Sequence, residues 1–311
     1  MSKYLYICAT ARSGSTMLDM LLGGHSKAAS LGEFSFLGKA LSLKQICGCG
    51  DKVSNCSEWQ KVFDKVRLDK DIDLLDNPYA LRQWDTKASV VIDHEQQTFN
   101  YLLGAKFRSA VCRLHFEKPL DFSMPLPSQL VKGINNTAFL YETILQEWDK
   151  DFIIDSSKNV NKALALYEQE PKKTKIIILV RDGRGVFSSR RRSGFSKRQS
   201  LAGWLKYYST SIRVLQKNIP DDALKIVRYE DVIKDPKKEL EHICDWIGVS
   251  FEHEMASLSH GVRHLVNGND TRFKRDKGLM LDERWKTELS DDELEWFMDR
   301  AGDLNLKLGY K

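Results

Sequence analysis

Four short apolar runs, each of strand length and each followed by a helical pattern, constrain the fold of this chain most strongly. They lie at residues 4–9, 152–155, 176–180 and 224–227. Almost every position in them is apolar, which is typical of strands that are covered on both faces of a parallel sheet. Strands that alternate with helices predict an α/β fold with a mainly parallel sheet. Because ligands of such sheets bind outside the carboxyl ends of the strands, we expect the chemistry just after these runs.

A long insertion separates the first two runs. It is mostly of helical pattern, as at residues 79–107 and 135–148, and neither a Gly/Ser-rich linker nor an internal repeat divides it. We therefore predict one domain over residues 1–311, with a helical insertion at about 34–150. After Val249 the chain is rich in loops, and it ends in an amphipathic helix at 291–301. Ser290 is expected to cap this helix together with Glu293.

Charge and composition exclude several classes of protein. The formal net charge is +5, an excess too small to indicate nucleic-acid binding. The longest run of hydrophobic residues has six members, whereas a helix that crosses a bilayer needs about 20. Arg12 and the polar residues that follow it also interrupt any secretory signal. We predict a cytoplasmic protein that binds neither nucleic acid nor membrane.

The segment Ala9-Thr-Ala-Arg-Ser-Gly-Ser-Thr16 lies between the first predicted strand and a helix. Backbone N–H groups and the helix dipole bind phosphate at this position. The spacing matches the nucleotide-binding pattern G-x-x-x-x-G-K-[ST], but Ala9 replaces the first Gly and Ser15 replaces the Lys. The cation instead lies three residues earlier, at Arg12. The loop therefore suits a phosphate that is not part of a metal-bridged triphosphate. The alternative is a small-residue turn that packs a helix onto a strand.

A second phosphate site is predicted where the third run ends. Arg181 lies at the strand end, and Ser188 and Ser189 follow about two helical turns later. The rigid fork of donors in Arg suits a terminal phosphate, and Ser adds one further donor. We expect the helix to continue through the basic residues of 190–198. These residues form either a solvated face or a surface that holds an anionic ligand.

These motifs resemble those of the sulfotransferases that use 3′-phosphoadenosine 5′-phosphosulfate (PAPS). The resemblance rests on Arg12-Ser-Gly-Ser-Thr16, on Val180-Arg-Asp-Gly-Arg with Ser189, and on Val227-Arg-Tyr-Glu-Asp-Val232 with Asp235-Pro236 and Trp246-Ile-Gly248. The motifs follow in the family's order along most of the chain, and they are most similar to the carbohydrate and protein-tyrosine type and to stand-alone bacterial relatives. The resemblance implies a three-layer, P-loop-type fold that transfers the sulfuryl group of PAPS to a hydroxyl or amine. The product would be 3′-phosphoadenosine 5′-phosphate (PAP), and no metal would be required.

The resemblance also assigns contacts with the nucleotide. Those with the 5′-phosphosulfate come from Arg12, Ser13, Gly14, Ser15 and Thr16. Arg181 and Ser189, which keep the family's interval of eight residues, would hold the 3′-phosphate, and Tyr229 would lie near the adenine. A C-terminal segment at about 260–311 would cover the nucleotide. The family's Arg-Lys-Gly triplet is matched only in part, by Lys277-Gly278, and Arg272 is assigned to the nucleotide instead.

Sulfuryl transfer also needs a base for the acceptor's proton and a cation that faces the leaving phosphate. Glu33, in a Gly-Glu sequence similar to the family's, is predicted to be the base; the alternative is an ordinary surface carboxylate. Arg12 would face the leaving phosphate, and Lys158 would contact the transferred group. Asp155 would hold a metal ion in a nucleotide kinase, but the first loop lacks the Lys of such an enzyme. We therefore expect Asp155 to anchor its turn or to cap the next helix, and the cap is favoured over the metal ligand.

Three cysteines, Cys47, Cys49 and Cys56, have a spacing that is compatible with three thiolate ligands of a zinc ion. No fourth ligand lies nearby in the sequence, which favours free thiols or a loop disulfide. His260 and His264 are four residues apart, and we expect them to form a polar surface pair rather than to bind a metal.

Two other functions are compatible with the sequence. A P-loop kinase of a small molecule would require Mg²⁺ and a triphosphate. A module without catalytic activity would bind anionic nucleotides or sulfated glycans through the basic residues of 190–198. For the sulfotransferase, we expect a small molecule or a glycan as the acceptor.

Overall fold

One all-parallel sheet of five strands organises the computed structural model, which describes residues 3–84, 99–117, 124–259, 261–273 and 278–311. The strands are β1 (Tyr4–Cys8), β2 (Ala28–Ser30), β3 (Phe152–Asp155), β4 (Thr174–Val180) and β5 (Leu224–Arg228). Their order in the sheet is β2-β3-β1-β4-β5. The four strands predicted from the apolar runs are confirmed. The edge strand β2 was not predicted.

Helices connect these strands and cover both faces of the sheet. In chain order they are α1 (Ser15–Leu22), α2 (Leu37–Ser42), α3 (Ser57–Lys70), α4 (Phe99–Glu117), α5 (Ser128–Glu147), α6 (Val160–Gln169), α7 (Gly183–Arg192), α8 (Lys197–Asn218), α9 (Tyr229–Lys234), α10 (Pro236–Ile247), α11 (Trp285–Glu288) and α12 (Asp291–Lys307). None of the helices in the described ranges is both long enough and apolar enough to cross a membrane.

Two of the predicted helices differ from the structure. Residues 78–81 form a turn, so the helical pattern at 79–107 is confirmed only from the start of α4 at Phe99, and residues 85–98 of it lie outside the described ranges. The helix expected through 190–198 ends at Arg192. A new helix, α8, begins at Lys197, because the side chain of Ser196 accepts a hydrogen bond from the Gln199 N–H and caps the helix.

The remaining helical predictions are confirmed with changed ends. The pattern at 135–148 lies within α5, which begins earlier, at Ser128. The last helix, α12, extends beyond the predicted 291–301. Its predicted cap is present, because Ser290 and Glu293 form a reciprocal capping box.

Alternating side chains of each central strand enter two separate cores. Tyr4 and Tyr6 of β1 point into the core that contains Trp59 of α3. Leu5 of β1 points to the opposite face, where α1 and α10 pack, as shown by Leu18. Burial on both faces explains why the strands are continuously apolar in sequence. The helical insertion belongs to the first of these cores, since α5 packs on β3 and α3 packs on α5.

The sheet order determines where the strand ends meet. β1 lies between β3 and β4 and pairs with both. The loops that follow these three strands therefore leave the carboxyl edge of the sheet side by side. This is the edge at which parallel α/β sheets bind their ligands.

Candidate functional site

A cavity of about 730 Å³ opens at this carboxyl edge. Its wall includes Arg12 from the loop after β1, Lys158 from the loop after β3, Arg181 from the turn after β4, and Glu33, which follows β2. The structure thus brings four of the predicted site residues, which are up to 169 positions apart in the chain, to one cavity. Gly14, Ser15, Thr16, Ser189 and Tyr229 also line it.

The loop after β1 adopts a tight conformation that leaves the start of α1 open. Arg12 and Gly14 both have positive φ, at 73° and 87°. A Cβ on Gly14 would lie 2.4 Å from the ring of Tyr229, so only glycine allows this approach. No side chain caps α1. The N–H groups of its first turn, at Ser15 and Thr16, therefore face the cavity in the arrangement that binds anions.

Ser13 has a supporting position in this loop. It is fully buried, and its Oγ lies 3.0 Å from the Tyr208 hydroxyl. Tyr208 donates in turn to the Leu179 carbonyl of β4. The Ser13 side chain thus ties the first loop to the neighbouring strand, and a contact between Ser13 and a ligand is left to its backbone.

The two predicted phosphate-binding segments are in direct contact. Nη1 of Arg181 donates to the carbonyl oxygen of Arg12 at 2.9 Å. The Arg181 guanidinium also lies over the ring of Tyr229, 4.6 Å from its centroid. Arg12 and Arg181 are therefore close enough for one ligand to reach both.

Two carboxylates of the C-terminal segment, which the sequence did not indicate, contact the second predicted phosphate-binding segment. Nη2 of Arg181 donates to the Asp282 carbonyl at 3.0 Å and forms an ion pair with its carboxylate at 3.1 Å. Hydrogen bonds from Arg284, together with the charge of Arg181, hold the pKa of Asp282 well below its usual range. Glu288 accepts a hydrogen bond from Ser188 and pairs with Arg192. These contacts join α7 to a segment about 100 positions later in the chain.

Glu33 and Lys158 form an ion pair in the cavity wall, and both side chains are less than one fifth exposed. Close backbone packing fixes the position of Glu33. Its N–H donates to the Asn267 carbonyl, and a Cβ on the preceding Gly32 would lie 2.4 Å from the same oxygen. Lys158 has a positive φ of 68°, and its carbonyl accepts a hydrogen bond from Tyr207. A carboxylate and an ammonium group are therefore held side by side where they face a ligand.

A buried carboxylate beneath this pair was missed in the sequence. Asp19 of α1 accepts hydrogen bonds from Ser30 at 2.5 Å, Ser156 at 2.6 Å and the Gly32 N–H at 3.1 Å. Burial raises its pKa to about 7 despite these hydrogen bonds. Asp19 links α1 to the ends of β2 and β3 and thereby supports the backbone that carries Glu33.

Asp155 anchors its turn and does not cap the next helix. It forms a fully buried ion pair with Lys162 at 2.9 Å and accepts hydrogen bonds from the Tyr141 hydroxyl and the Ser157 N–H. The cap of α6 is Asn159, whose side chain accepts from the Lys162 N–H. The favoured prediction of a helix cap at Asp155 was therefore wrong.

Arg272 is buried behind the cavity wall. Its side chain is attracted by Cys47, Asp270 and Glu33, and burial lowers the pKa of its guanidinium. Within the described residues, Nε and Nη1 of Arg272 have no hydrogen-bond partner. Arg284, which also belongs to the C-terminal segment, and Arg192 of α7 do line the cavity. A contact between Arg272 and the nucleotide stays a prediction, and Lys277 of the partial triplet lies outside the described residues.

The three clustered cysteines have a fourth partner in space. Ligand atoms of Cys47, Cys49, Cys56 and His264 all lie within 4.8 Å of one another. His264 itself is half-buried and contacts Cys56; the predicted pair with His260 stays a prediction, because His260 lies outside the described residues. Sequence separation concealed this group, because Cys56 and His264 are 208 positions apart in the chain.

Comparisons with known proteins agree with this architecture. The model described as the sulfotransferase family matches residues 5–253. The chain is 23% identical to carbohydrate sulfotransferase 1 of Danio rerio, in an alignment that covers 99% of this chain and 78% of that protein. It is 24% identical to carbohydrate sulfotransferase 1 of Mus musculus, with 49% of this chain and 42% of that protein covered.

Two solved structures share the fold. The sulfotransferase domain from the Synechococcus PCC 7002 olefin synthase has a TM-score of 0.56 at 19% identity, and the alignment covers 100% of this chain and 95% of that chain. The sulfotransferase domain from the curacin biosynthetic pathway has a TM-score of 0.54 at 20% identity, and the alignment covers 100% of this chain and 99% of that chain. The predicted α/β fold with a central parallel sheet is confirmed.

Proposed function

Because the chain belongs to the sulfotransferase family, we propose that it transfers the sulfuryl group of PAPS to a hydroxyl or amine of a small molecule or glycan. The family confirms the predicted class of enzyme. The observation that carries the proposal is the meeting of Arg12, Arg181, Glu33 and Lys158 on the wall of one cavity. Its volume of about 730 Å³ lies in the range of roughly 300–1,000 Å³ that is usual for ligand pockets.

The two loops offer separate positions for the two charged ends of the donor. The 5′-phosphosulfate fits at Arg12 and the N–H groups of the first turn of α1. Arg181 and Ser189 are the groups for the 3′-phosphate, since both line the cavity beside the first loop. Tyr229 packs against Gly14 and beneath Arg181. That position, between the two loops, supports its assignment to the adenine side.

The residues between the loops supply the groups that the transfer needs. PAPS contributes the sulfuryl group, whose bond to the 5′-phosphate oxygen breaks as a bond to the acceptor oxygen or nitrogen forms. Glu33 takes the proton of the acceptor. Arg12 and the N–H groups of α1 stabilise the negative charge that develops on the departing phosphate. Lys158 neutralises Glu33 in the resting site and contacts the transferred group. These residues provide each charge that the scheme requires, and no step of it uses a metal ion.

The acceptor is proposed at the level of its chemical class. The relatives from Danio rerio and Mus musculus are named carbohydrate sulfotransferases, which supports a glycan hydroxyl as the first group to test. A small polar molecule with a hydroxyl or amine is the second. The cytoplasmic location stays a prediction.

A transfer assay tests the function directly. The purified chain is incubated with radiolabelled PAPS and mixed pools of glycans and small polar molecules, with Mg²⁺ omitted. We expect labelled acceptor and stoichiometric PAP, and calorimetry should show that PAP binds more tightly than adenosine 5′-phosphate. Phosphoryl transfer from ATP that depends on Mg²⁺ would support the kinase instead. Binding of PAP that persists without transfer to any pool, and that survives loss of both Arg12 and Glu33, would support the non-catalytic module.

A further inference from the structure

Four side chains outside the cavity bring metal-binding atoms to one point. Nδ1 of His264 lies 3.1 Å from Sγ of Cys56 and 4.0 Å from Sγ of Cys47, and Sγ of Cys49 completes a group that spans no more than 4.8 Å. We propose that these four side chains bind a zinc ion, which holds the C-terminal segment around His264 against the loop at residues 47–56.

The spacing of the four atoms agrees with tetrahedral coordination. Zinc bonds to thiolate sulfur at about 2.3 Å and to imidazole nitrogen at about 2.0–2.1 Å, so the edges of the tetrahedron measure about 3.5–3.8 Å. The observed separations of 3.1 and 4.0 Å lie on either side of these values. The widest separation in the group, up to 4.8 Å, would shorten by about 1 Å when the four atoms close around the ion.

The donor set and its burial favour a structural zinc ion. Three thiolates and one imidazole form a set that is common in structural zinc sites, and soft sulfur ligands select zinc over the hard cations Mg²⁺ and Ca²⁺. Cys47 and Cys56 are almost completely buried. Four protein ligands fill the coordination sphere, so no position is left for a substrate. The site is therefore separate from the sulfuryl-transfer chemistry.

The surrounding backbone already holds the four ligands together. The Gly48 N–H donates to the Leu265 carbonyl at 3.0 Å, and a Cβ on Gly48 would lie 2.5 Å from the Arg263 carbonyl oxygen. On the other side, Nε1 of Trp59 donates to the His264 carbonyl at 3.0 Å. This packing brings the ligands together before a metal binds, which lowers the cost of ordering them.

A disulfide would account for only two of these three cysteines. It would join two of the three sulfurs and leave the third thiol beside His264. All the cysteines are free in the structure. Arg272, a buried cation close to Cys47, is electrostatically compatible with a site in which three thiolates and one Zn²⁺ leave a net negative charge.

Backbone hydrogen bonds connect the proposed zinc site to the cavity. Just after His264, the Val266 N–H donates to the Leu31 carbonyl at 2.9 Å, and the Asn267 carbonyl accepts from the Glu33 N–H. The same segment continues to Asn269, whose N–H donates to Oγ1 of Thr16. A metal at His264 would therefore fix the strand-like contact that positions the proposed base. The four ligands are positioning residues and do not take part in the reaction.

Metal analysis of the purified full chain tests the proposal. The protein is prepared under reducing conditions without chelators, and its metal content is measured by mass spectrometry. We expect about one zinc ion per chain in the wild type and in Cys112→Ala, which removes a buried cysteine of α4 that is not one of the four ligands. Cys49→Ala and His264→Ala should lose most of the zinc, whereas His264→Cys should keep it, because a fourth thiolate replaces the imidazole.

A second measurement covers the case in which a variant folds poorly. Chelation of the wild type should lower its midpoint of thermal unfolding, and added zinc should restore it, because a ligand that binds only the folded state stabilises that state. Chelation should leave the midpoint of Cys49→Ala unchanged. A wild-type chain that contains no zinc and takes none up, that holds another metal in its place, or that shows a disulfide among these cysteines would overturn the proposal. Because zinc content is measured without PAPS, that result would leave the proposed function untouched.

Discussion

The loop after β1 and the turn after β4 each place an arginine at the same edge of the sheet, yet the two arginines have different surroundings. Arg12 is exposed, and the described contact of its guanidinium is with the Ser193 hydroxyl at 2.7 Å. Arg181 is only 6% exposed and is paired with the carboxylate of Asp282. A phosphate that reaches Arg12 therefore replaces a neutral partner, whereas a phosphate that reaches Arg181 must compete with a negative charge.

This difference indicates that the two ends of the donor are bound in different ways. The first loop provides an open site made largely of backbone N–H groups, which are fixed by the fold. The second is a charged site that the C-terminal segment covers through Asp282 and Glu288. Binding of the 3′-phosphate is expected to displace these carboxylates, so that a bisphosphate rearranges the C-terminal segment and adenosine 5′-phosphate does not. The three predictions that follow test this division, from the largest expected effect to the smallest.

Glu33→Gln tests whether Glu33 acts in the transfer step alone, while the two loops bind the donor without it. Gln has the same shape, and its amide oxygen can still accept from Lys158, but it cannot take a proton. We expect kcat to fall by about 10²–10⁴, the usual contribution of a positioned base, while calorimetry shows unchanged affinity for PAP. Asp270→Asn, which removes a carboxylate from an exposed part of the same cavity wall, should retain activity. A Glu33→Gln enzyme with full kcat would reject Glu33 as the base.

Arg181→Ala tests whether the second loop distinguishes the two nucleotides. Loss of a buried cation that pairs with phosphate should weaken the binding of PAP by about 10²-fold. Affinity for adenosine 5′-phosphate, which lacks the 3′-phosphate, should change far less. The ratio of the two affinities is measured on one preparation, so any loss of folded protein cancels.

The control for this experiment is Arg191→Ala. It removes one positive charge from the same helix, at a residue that pairs with Glu293 and is not part of the cavity wall. We expect both affinities to stay close to those of the wild type. Equal losses for PAP and adenosine 5′-phosphate in Arg181→Ala would mean that Arg181 supports the first loop through its bond to the Arg12 carbonyl, and the assignment to the 3′-phosphate would be wrong.

The two loops were also the most predictable parts of the site. Each follows a continuously apolar strand, and each motif lies within a few residues of that strand, so local pattern was sufficient to find Arg12 and Arg181. The strand β2 escaped detection because it has three residues, Ala28–Ser30, too few to show a pattern. Glu33 was proposed from its Gly-Glu sequence, but its pairing with Lys158 depends on how β2 and β3 are placed.

What the sequence did not indicate are the contacts made by the C-terminal segment. Asp282 and His264 lie in a region without regular periodicity. Asp282 is 101 positions from Arg181, and His264 is 208 positions from Cys56. In the sequence, neither the Asp at position 282 nor the His at position 264 indicates a role by itself. A carboxylate beside Arg181, or an imidazole beside three thiols, becomes visible only when packing brings the segments together. The mistaken assignment of Asp155 has another cause: its partner Lys162 lies only seven positions away, but the sequence does not show that the two charges are buried together.

Asp282→Asn tests the carboxylate that distinguishes the two arginines, and it should produce the smallest change. Asn retains an oxygen that can accept from Arg181 but removes the charge with which a phosphate must compete. We expect PAP to bind about three- to tenfold more tightly at low salt, in keeping with the modest energy of a partly exposed ion pair. Affinity for adenosine 5′-phosphate should not change.

The control is Glu283→Gln, which changes the net charge equally at a neighbouring exposed residue that pairs with Lys286. It should leave both affinities unaltered. Weaker binding of PAP to Asp282→Asn would show instead that Asp282 orients Arg181 for the phosphate. In that case the second loop, like the first, would bind its phosphate without displacing a competing carboxylate.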